Sequence, residues 1–280
     1  MSKNIITIVN EKGGVGKTTA TACVASILAS RSFRVLMLDL DPQSDLTLSF
    51  PTELDPEINI FNCIFQFGKL KGVNVNHNLV LVPGSPLLQP VNFTDKLKLS
   101  QEFQYDNPRL ILQKLLQTVS NREDLIVLID CPPNKEIIVQ NALAASSKVL
   151  IPTFCHNYSY NGIVDIIKML EKFKEKLNVD LEIIGILVNN FDQRNNIDRG
   201  VYEMMKETFG DLVFSTPVRT NTKLKETTHL GLEIIEYAND LNNKPMPHTF
   251  SGLEDFNKVT DELLERLGLP LTLKREDHER

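Results

Sequence analysis

Lys12, Gly13, Gly14, Val15, Gly16, Lys17, Thr18 and Thr19 form one unbroken stretch whose residue types suit it to gripping phosphate. Glycines let consecutive backbone N–H groups converge on an anion without Cβ interference. Lys17 stands where an ammonium can reach terminal phosphates, and the Thr18 hydroxyl is placed to sit on a magnesium ion. The ordinary form of such a loop, G-x-x-x-x-G-K-S/T, has glycine where this chain has Glu11. In its place the chain carries a second lysine, Lys12, directly before the glycine pair. Three carboxylates complete the candidate chemistry: Asp39 and Asp41, and further along Asp130. Beside a polyphosphate, such groups hold a divalent cation or orient water.

The elements that must position these groups are legible. Residues 5–9 are a short β-branched run that predicts a buried strand, and the Ala-rich stretch from 19 to about 29 predicts a helix. Strand, glycine loop and helix together aim a helix N-terminus and its dipole at a bound anion. Residues 34–38 predict a second strand running into Asp39-Leu40-Asp41-Pro42-Gln43. On extended backbone, residues two apart point the same way, so Asp39 and Asp41 are both expected at the mouth of the loop. That mouth lies at the C-terminal strand edge, where open α/β sheets bind ligands. Five apolar residues, 125–129, suit a strand buried on both faces and ending on Asp130.

Further strands are expected at 78–82, 147–152 and 181–188, the last ending in Asn189-Asn190, with a short helix at 58–65. Helices are expected from Asn107-Pro108 to about 119, along the stripe Ile163, Ile166, Ile167, Leu170 and Phe173, at 196–209, and along Leu253, Phe256, Val259, Leu263 and Leu267. The stretch 92–104 is polar and expected to be peripheral. The alternation predicts an α/β fold with a doubly wound, mostly parallel sheet. We read residues 1–270 as one P-loop domain and 271–280 as a polar C-terminal tail.

Composition narrows the function. The 280 residues carry a formal charge of −6, with 42% hydrophobic and 24% charged residues, so any nucleic-acid contact must come from a local patch. Cys23, Cys63, Cys131 and Cys155 lie far apart without a C-x-x-C pair, which excludes a disulfide framework or zinc site of ordinary spacing. The first apolar run is too short for a signal peptide, and no stretch approaches the roughly 20 residues of a membrane span. A cytoplasmic location is expected.

The Lys12–Thr19 sequence, Asp39-Leu-Asp-Pro-Gln and Asp130-Cys-Pro-Pro resemble the ParA/MinD branch of P-loop ATPases, and most closely small ParA-type partition ATPases. The resemblance is strong over the first 50 residues, good over 125–190 and weak over 51–120. It implies ATP and Mg²⁺ as cofactors. It makes Asp41 the residue that orients the attacking water, and it places Asp39, Asp130 and Thr18 around the magnesium. It offers Asn189 or Asn190 as a reader of the nucleotide base, although either also suits a strand-ending turn. Cys131 stands where the family usually has a small residue, and it reads as a packing residue.

The same resemblance implies an ATP-dependent homodimer in which Lys12 crosses to the partner's phosphates, much as an arginine finger does. It further implies non-specific double-stranded DNA binding, a ParB-like centromere-binding partner and association with the nucleoid. The DNA surface is expected at Arg219, Lys223 and Lys225, joined by Arg194 and Arg199. With the loop starting at residue 12, no helix-turn-helix is expected ahead of it. A MinD-like membrane regulator is the alternative, but residues 253–267 are acidic on their polar side (Glu254, Asp255, Asp261, Glu262, Glu265), which disfavours membrane docking. An iron–sulfur carrier of the same branch needs paired cysteines at a dimer axis, for which Cys131 alone is poor support.

Overall fold

The computed structural model describes residues 4–50, 52–99, 107–119, 124–156, 159–177, 179–221, 224, 235 and 251–273. The strands are β1 Ile5–Ile8, β2 Arg34–Asp39, β3 Val73–Asn76, β4 Leu79–Val82, β5 Leu125–Asp130, β6 Lys148–Phe154 and β7 Glu182–Asn189. They form one seven-stranded sheet in the order β3-β4-β2-β5-β1-β6-β7. All neighbours run parallel except the outer pair β3 and β4. The expected doubly wound, mostly parallel sheet is what the chain forms.

The helices are α1 Lys17–Ser30, α2 Asp45–Leu48, α3 Ile60–Asn62 continuing into a π-helical turn at Cys63–Phe67, α4 Pro90–Leu99, α5 Ile111–Gln117, α6 Ile137–Ala145, α7 Ser159–Leu177, α8 Asn196–Phe209 and α9 Ser251–Leu267. Successive strand residues point to opposite faces, and the sheet accordingly feeds two cores. Ile5, Val127, Ile129 and Ile186 pack with Leu112, Ile138, Leu143, Ile163 and Leu170, from α5, α6 and α7. Ile6, Met37, Ile126 and Leu128 pack with Val24, Ile27 and Leu28 of α1 and with Phe256, Val259 and Leu263 of α9. Apolar cover on both faces is why β5 reads as an uninterrupted apolar run.

Register places the chemistry. Ile8, Asp130 and Asp39 are aligned across the adjacent strands β1, β5 and β2, each at its strand's C-terminal end. The helix α9 is fastened to the rest by arginines. Arg31 at the end of α1 donates to Asp261 at 2.6 Å and to Asn257 at 3.0 Å. Arg266 donates to the carbonyl of Ile184 at 2.7 Å and stacks 4.3 Å over the Phe214 ring. Gly185 makes room for that ring, since a Cβ there would lie 2.3 Å from it.

The free edge of β7 is covered. Phe214 donates its backbone N–H to Ile186 at 2.9 Å, and Val218 donates to Val188 at 2.8 Å. At the other edge β3 alternates half-buried and exposed residues and pairs with β4 through an irregular register.

Two expectations are corrected. The stretch 92–104 is not simply peripheral: Phe93 in α4 is fully buried, its ring 5.3 Å from that of Phe65. The boundary at 270 falls inside packed structure, because the Leu273 N–H donates to the Arg31 carbonyl at 3.1 Å and its side chain packs on the α1 core. Residues 274–280 lie outside the described residues.

Candidate functional site

The loop between β1 and α1 is held at its root, along its course and at its end. Asn10 donates its side-chain amide to the Pro152 carbonyl at 2.7 Å and accepts from the Lys12 N–H at 2.9 Å, tying the root to β6. Gly14 and Gly16 adopt left-handed φ values of +72° and +86°, which side chains rarely tolerate. At Gly16 a Cβ would also lie 2.7 Å from the Asn189 side-chain nitrogen. That nitrogen donates to the Val15 carbonyl at 2.9 Å, so the end of β7 braces the loop.

Lys17 is buried and its Nζ reaches the Lys12 carbonyl at 3.3 Å, folding the ammonium back over the loop. Burial lowers its pKa, with Asp130 acting against that. Thr18 Oγ1 donates to Asp130 Oδ2 at 2.7 Å, while Asp130 Oδ1 is buried and has no protein partner. Burial, reinforced by the neighbouring charge of Asp39, pushes the Asp130 carboxyl up to about 8. Above this floor opens a cavity of about 540 Å³ lined by Gly13, Gly16, Lys17, Thr18, Asp41 and Asn134 among others. Backbone amides, a buried lysine, a threonine hydroxyl and an orphaned carboxylate oxygen fit a nucleotide polyphosphate with a divalent cation.

Two sets of relatives bear on this geometry. A sequence profile described as an AAA domain matches residues 3–183. The sporulation initiation inhibitor protein Soj of Bacillus subtilis is 32% identical over 241 residues, covering 83% of this chain and 90% of its own length. The chromosome partitioning protein ParA of Myxococcus xanthus is 33% identical over 269 residues, covering 94% of this chain and 88% of its own. The chain belongs to the ParA/Soj family of P-loop ATPases. Solved structures agree in fold: McdA of Cyanothece, in complex with ATP, gives a TM-score of 0.75 at 20% identity over 98% of this chain and 100% of that one. A plasmid partition protein of Borrelia burgdorferi bound to AMPPNP gives 0.71 at 23% identity over 95% and 100%.

In this ParA-type ATPase the carboxylates expected together do not act alike. Asp41 lines the cavity. Asp39 does not face it, which corrects the expectation that it joins the magnesium shell. It is fully buried, and both its oxygens accept protein hydrogen bonds: Oδ1 from the Asp41 N–H at 3.1 Å, Oδ2 from Thr47 N–H at 2.9 Å and Thr47 Oγ1 at 2.6 Å. The strand ends at Asp39, so the two-residue repeat does not carry over to Asp41. Burial pushes the Asp39 carboxyl up to about 6. Its geometry is that of a brace for the turn that presents Asp41. Thr47, which also accepts from the Gly84 N–H at 2.8 Å, is a site-building residue with no signal in the sequence.

Lys12 leaves the loop toward α7 and does not line the cavity. Its Cε and Nζ lie 3.3 and 3.5 Å from where a Cβ on Gly162 would stand. Of the two base-reading candidates, Asn189 is buried with its amide committed to the loop and its Oδ1 without a protein partner. Asn190 is exposed in a left-handed turn, φ +53°. Cys131 is fully buried and its thiol pKa is raised by that burial, in keeping with packing.

The expected DNA patch is dispersed. Arg219 makes a two-pronged ion pair with the buried Asp255 of α9, Nε to Oδ2 at 2.9 Å and Nη2 to Oδ1 at 2.8 Å, and reaches Glu254 at 3.4 Å. This corrects its assignment as a phosphate contact: its fork is filled by α9. Arg199 is exposed on α8 and bonded locally, to Asn196. Arg194 is 93% exposed and lies 3.9 Å from Asp192. Lys223 and Lys225 lie outside the described residues. Among the described residues no helix is long and apolar enough to cross a membrane.

Proposed function

We propose that this ParA-type ATPase couples Mg²⁺-dependent ATP hydrolysis to reversible homodimerisation and non-specific DNA binding, and partitions a plasmid or chromosome with a ParB-like partner at the nucleoid. The observation that carries the reading is the separation of its two lysines. Lys17 is folded into the phosphate cavity, whereas Lys12, one loop turn away, points out of it over Gly162. A cation at the rim, directed away from its own cavity, suits the phosphates of a second subunit, where it offsets transition-state charge.

Thr18 and Asp130 are the residues that would hold Mg²⁺, which supplies charge neutralisation between the terminal phosphates. Asp41 orients the water, held in its turn by Asp39. Asn189 keeps the loop in shape, and its Oδ1 or the exposed Asn190 meets the base. DNA phosphates fall to Arg199 and Arg194, with Lys223 and Lys225.

Subunit mixing tests the arrangement. Lys12→Ala and Asp41→Ala should each be inactive alone. Mixed, they form heterodimers in which one site has its own Asp41 and receives Lys12 from the other subunit. Recovery of ATPase activity on mixing supports action across the dimer. A mixture as inactive as its parts overturns it.

A further inference from the structure

Glu11 and Lys135 are joined at 2.6 Å across the rim of the phosphate site, Nζ to Oε1. Glu11 lies two residues before Gly13, and Lys135 directly follows Asn134; Gly13 and Asn134 both line the cavity. The pair therefore links the start of the phosphate loop to the loop that leaves β5. Its side chains are 30% and 56% exposed, and pairs in such settings contribute little to stability.

The consequence lies in the field at the cavity. An ordinary phosphate loop has glycine at the position of Glu11. Here a carboxylate stands beside a site built for a polyanion, and uncompensated it repels the ligand. Lys17 is already folded inward onto the Lys12 carbonyl, and Lys12 leans the other way, over Gly162. The cation in direct contact with Glu11 is Lys135.

We infer that Lys135 is a positioning residue for nucleotide binding: it neutralises Glu11 and draws the Pro132–Asn134 wall against the phosphate loop. Lys135 itself does not line the cavity, which ends at Asn134 on that side. Its effect therefore runs through Glu11. The inference rests on the nucleotide reading of the cavity, which the wild-type titration checks separately from the variants.

The test is equilibrium binding of a non-hydrolysable ATP analogue, ADP and adenosine to the full chain and its variants. Lys135→Ala should weaken the analogue about fivefold, ADP less, and adenosine not at all, with the loss shrinking as salt rises. Lys135→Arg should bind like wild type. The double variant Glu11→Gln/Lys135→Ala should recover wild-type affinity, because the carboxylate that needed neutralising is gone. A loss equal for adenosine and ATP analogue would mark a structural effect and overturn the inference. A double variant as weak as Lys135→Ala would overturn it too, by showing that Lys135 meets phosphate itself.

Discussion

Lys12 and Gly162 touch: the lysine Cε lies 3.3 Å from the place a Cβ on Gly162 would occupy, so the missing side chain is the lysine's bed. The signature lysine thus has a resting place on its own subunit, on the first turn of α7. Lys12→Ala leaves Lys17 and the loop amides in place. Nucleotide affinity should stay near wild type while turnover falls about 10³-fold, the scale of losing a charge clamp. A steady-state ATPase assay beside a binding titration reads both quantities, and near-normal turnover removes Lys12 from the mechanism.

Asp41→Ala should give a protein that binds ATP, dimerises and does not hydrolyse, since the groups that grip phosphate are untouched. Gel filtration with ATP and Mg²⁺ should show a long-lived dimer. A mutant that binds ATP but elutes as a monomer assigns Asp41 another role.

Thr47→Val deprives the buried Asp39 of a hydroxyl donor and the Gly84 N–H of its acceptor. Leaving such groups unsatisfied costs about 1–3 kcal/mol, measurable by urea unfolding. The same geometry separates Asp39 from Asp130 in metal dependence. Asp130→Asn should raise the Mg²⁺ concentration needed for half-maximal turnover well above that of Asp39→Asn. The reverse order would return Asp39 to the metal.

Arg219→Ala should act on stability. Asp255, with its side chain only 4% exposed, would be left as a buried carboxylate without its fork, a loss of about 1–3 kcal/mol once the arginine's own exposure is allowed for. Arg199→Glu should do the opposite: leave the unfolding midpoint in place and weaken binding to unrelated DNA sequences equally. Every phosphate that the protein ceases to neutralise lowers the salt slope by roughly 0.9. DNA affinity that survives Arg199→Glu unchanged at every salt concentration moves the DNA surface off α8.

What can be read in the sequence is local. The phosphate loop is legible because glycines, lysines and threonines at fixed offsets leave few other uses for the stretch between β1 and α1. Asp130 is equally plain, since a strand buried on both faces has no reason to end on a carboxylate except chemistry. Asp39 misleads because its fate depends on where β2 stops, and one residue of bending turns it from the cavity to Thr47. Arg219 misleads because its partner lies 36 residues away on a helix whose docking no periodicity discloses. The helix α6 is silent for a related reason. It is buried at Ile138, Val139, Asn141, Ala142, Leu143, Ala144 and Ala145, so it shows no polar face. Phe93, a single aromatic in a polar stretch, carries no pattern at all.

The strand that ends on Asn189 is among the most apolar in the chain, and it stands last but for the short segment 213–219 laid along it. Left bare, such a strand is a template for adding further strands, the usual route to irreversible aggregation. The opposite margin is guarded differently, by a short strand whose outward asparagines make a poor template. Both borders of the sheet are closed to strand addition, so copies of this protein can crowd together without fusing edge to edge.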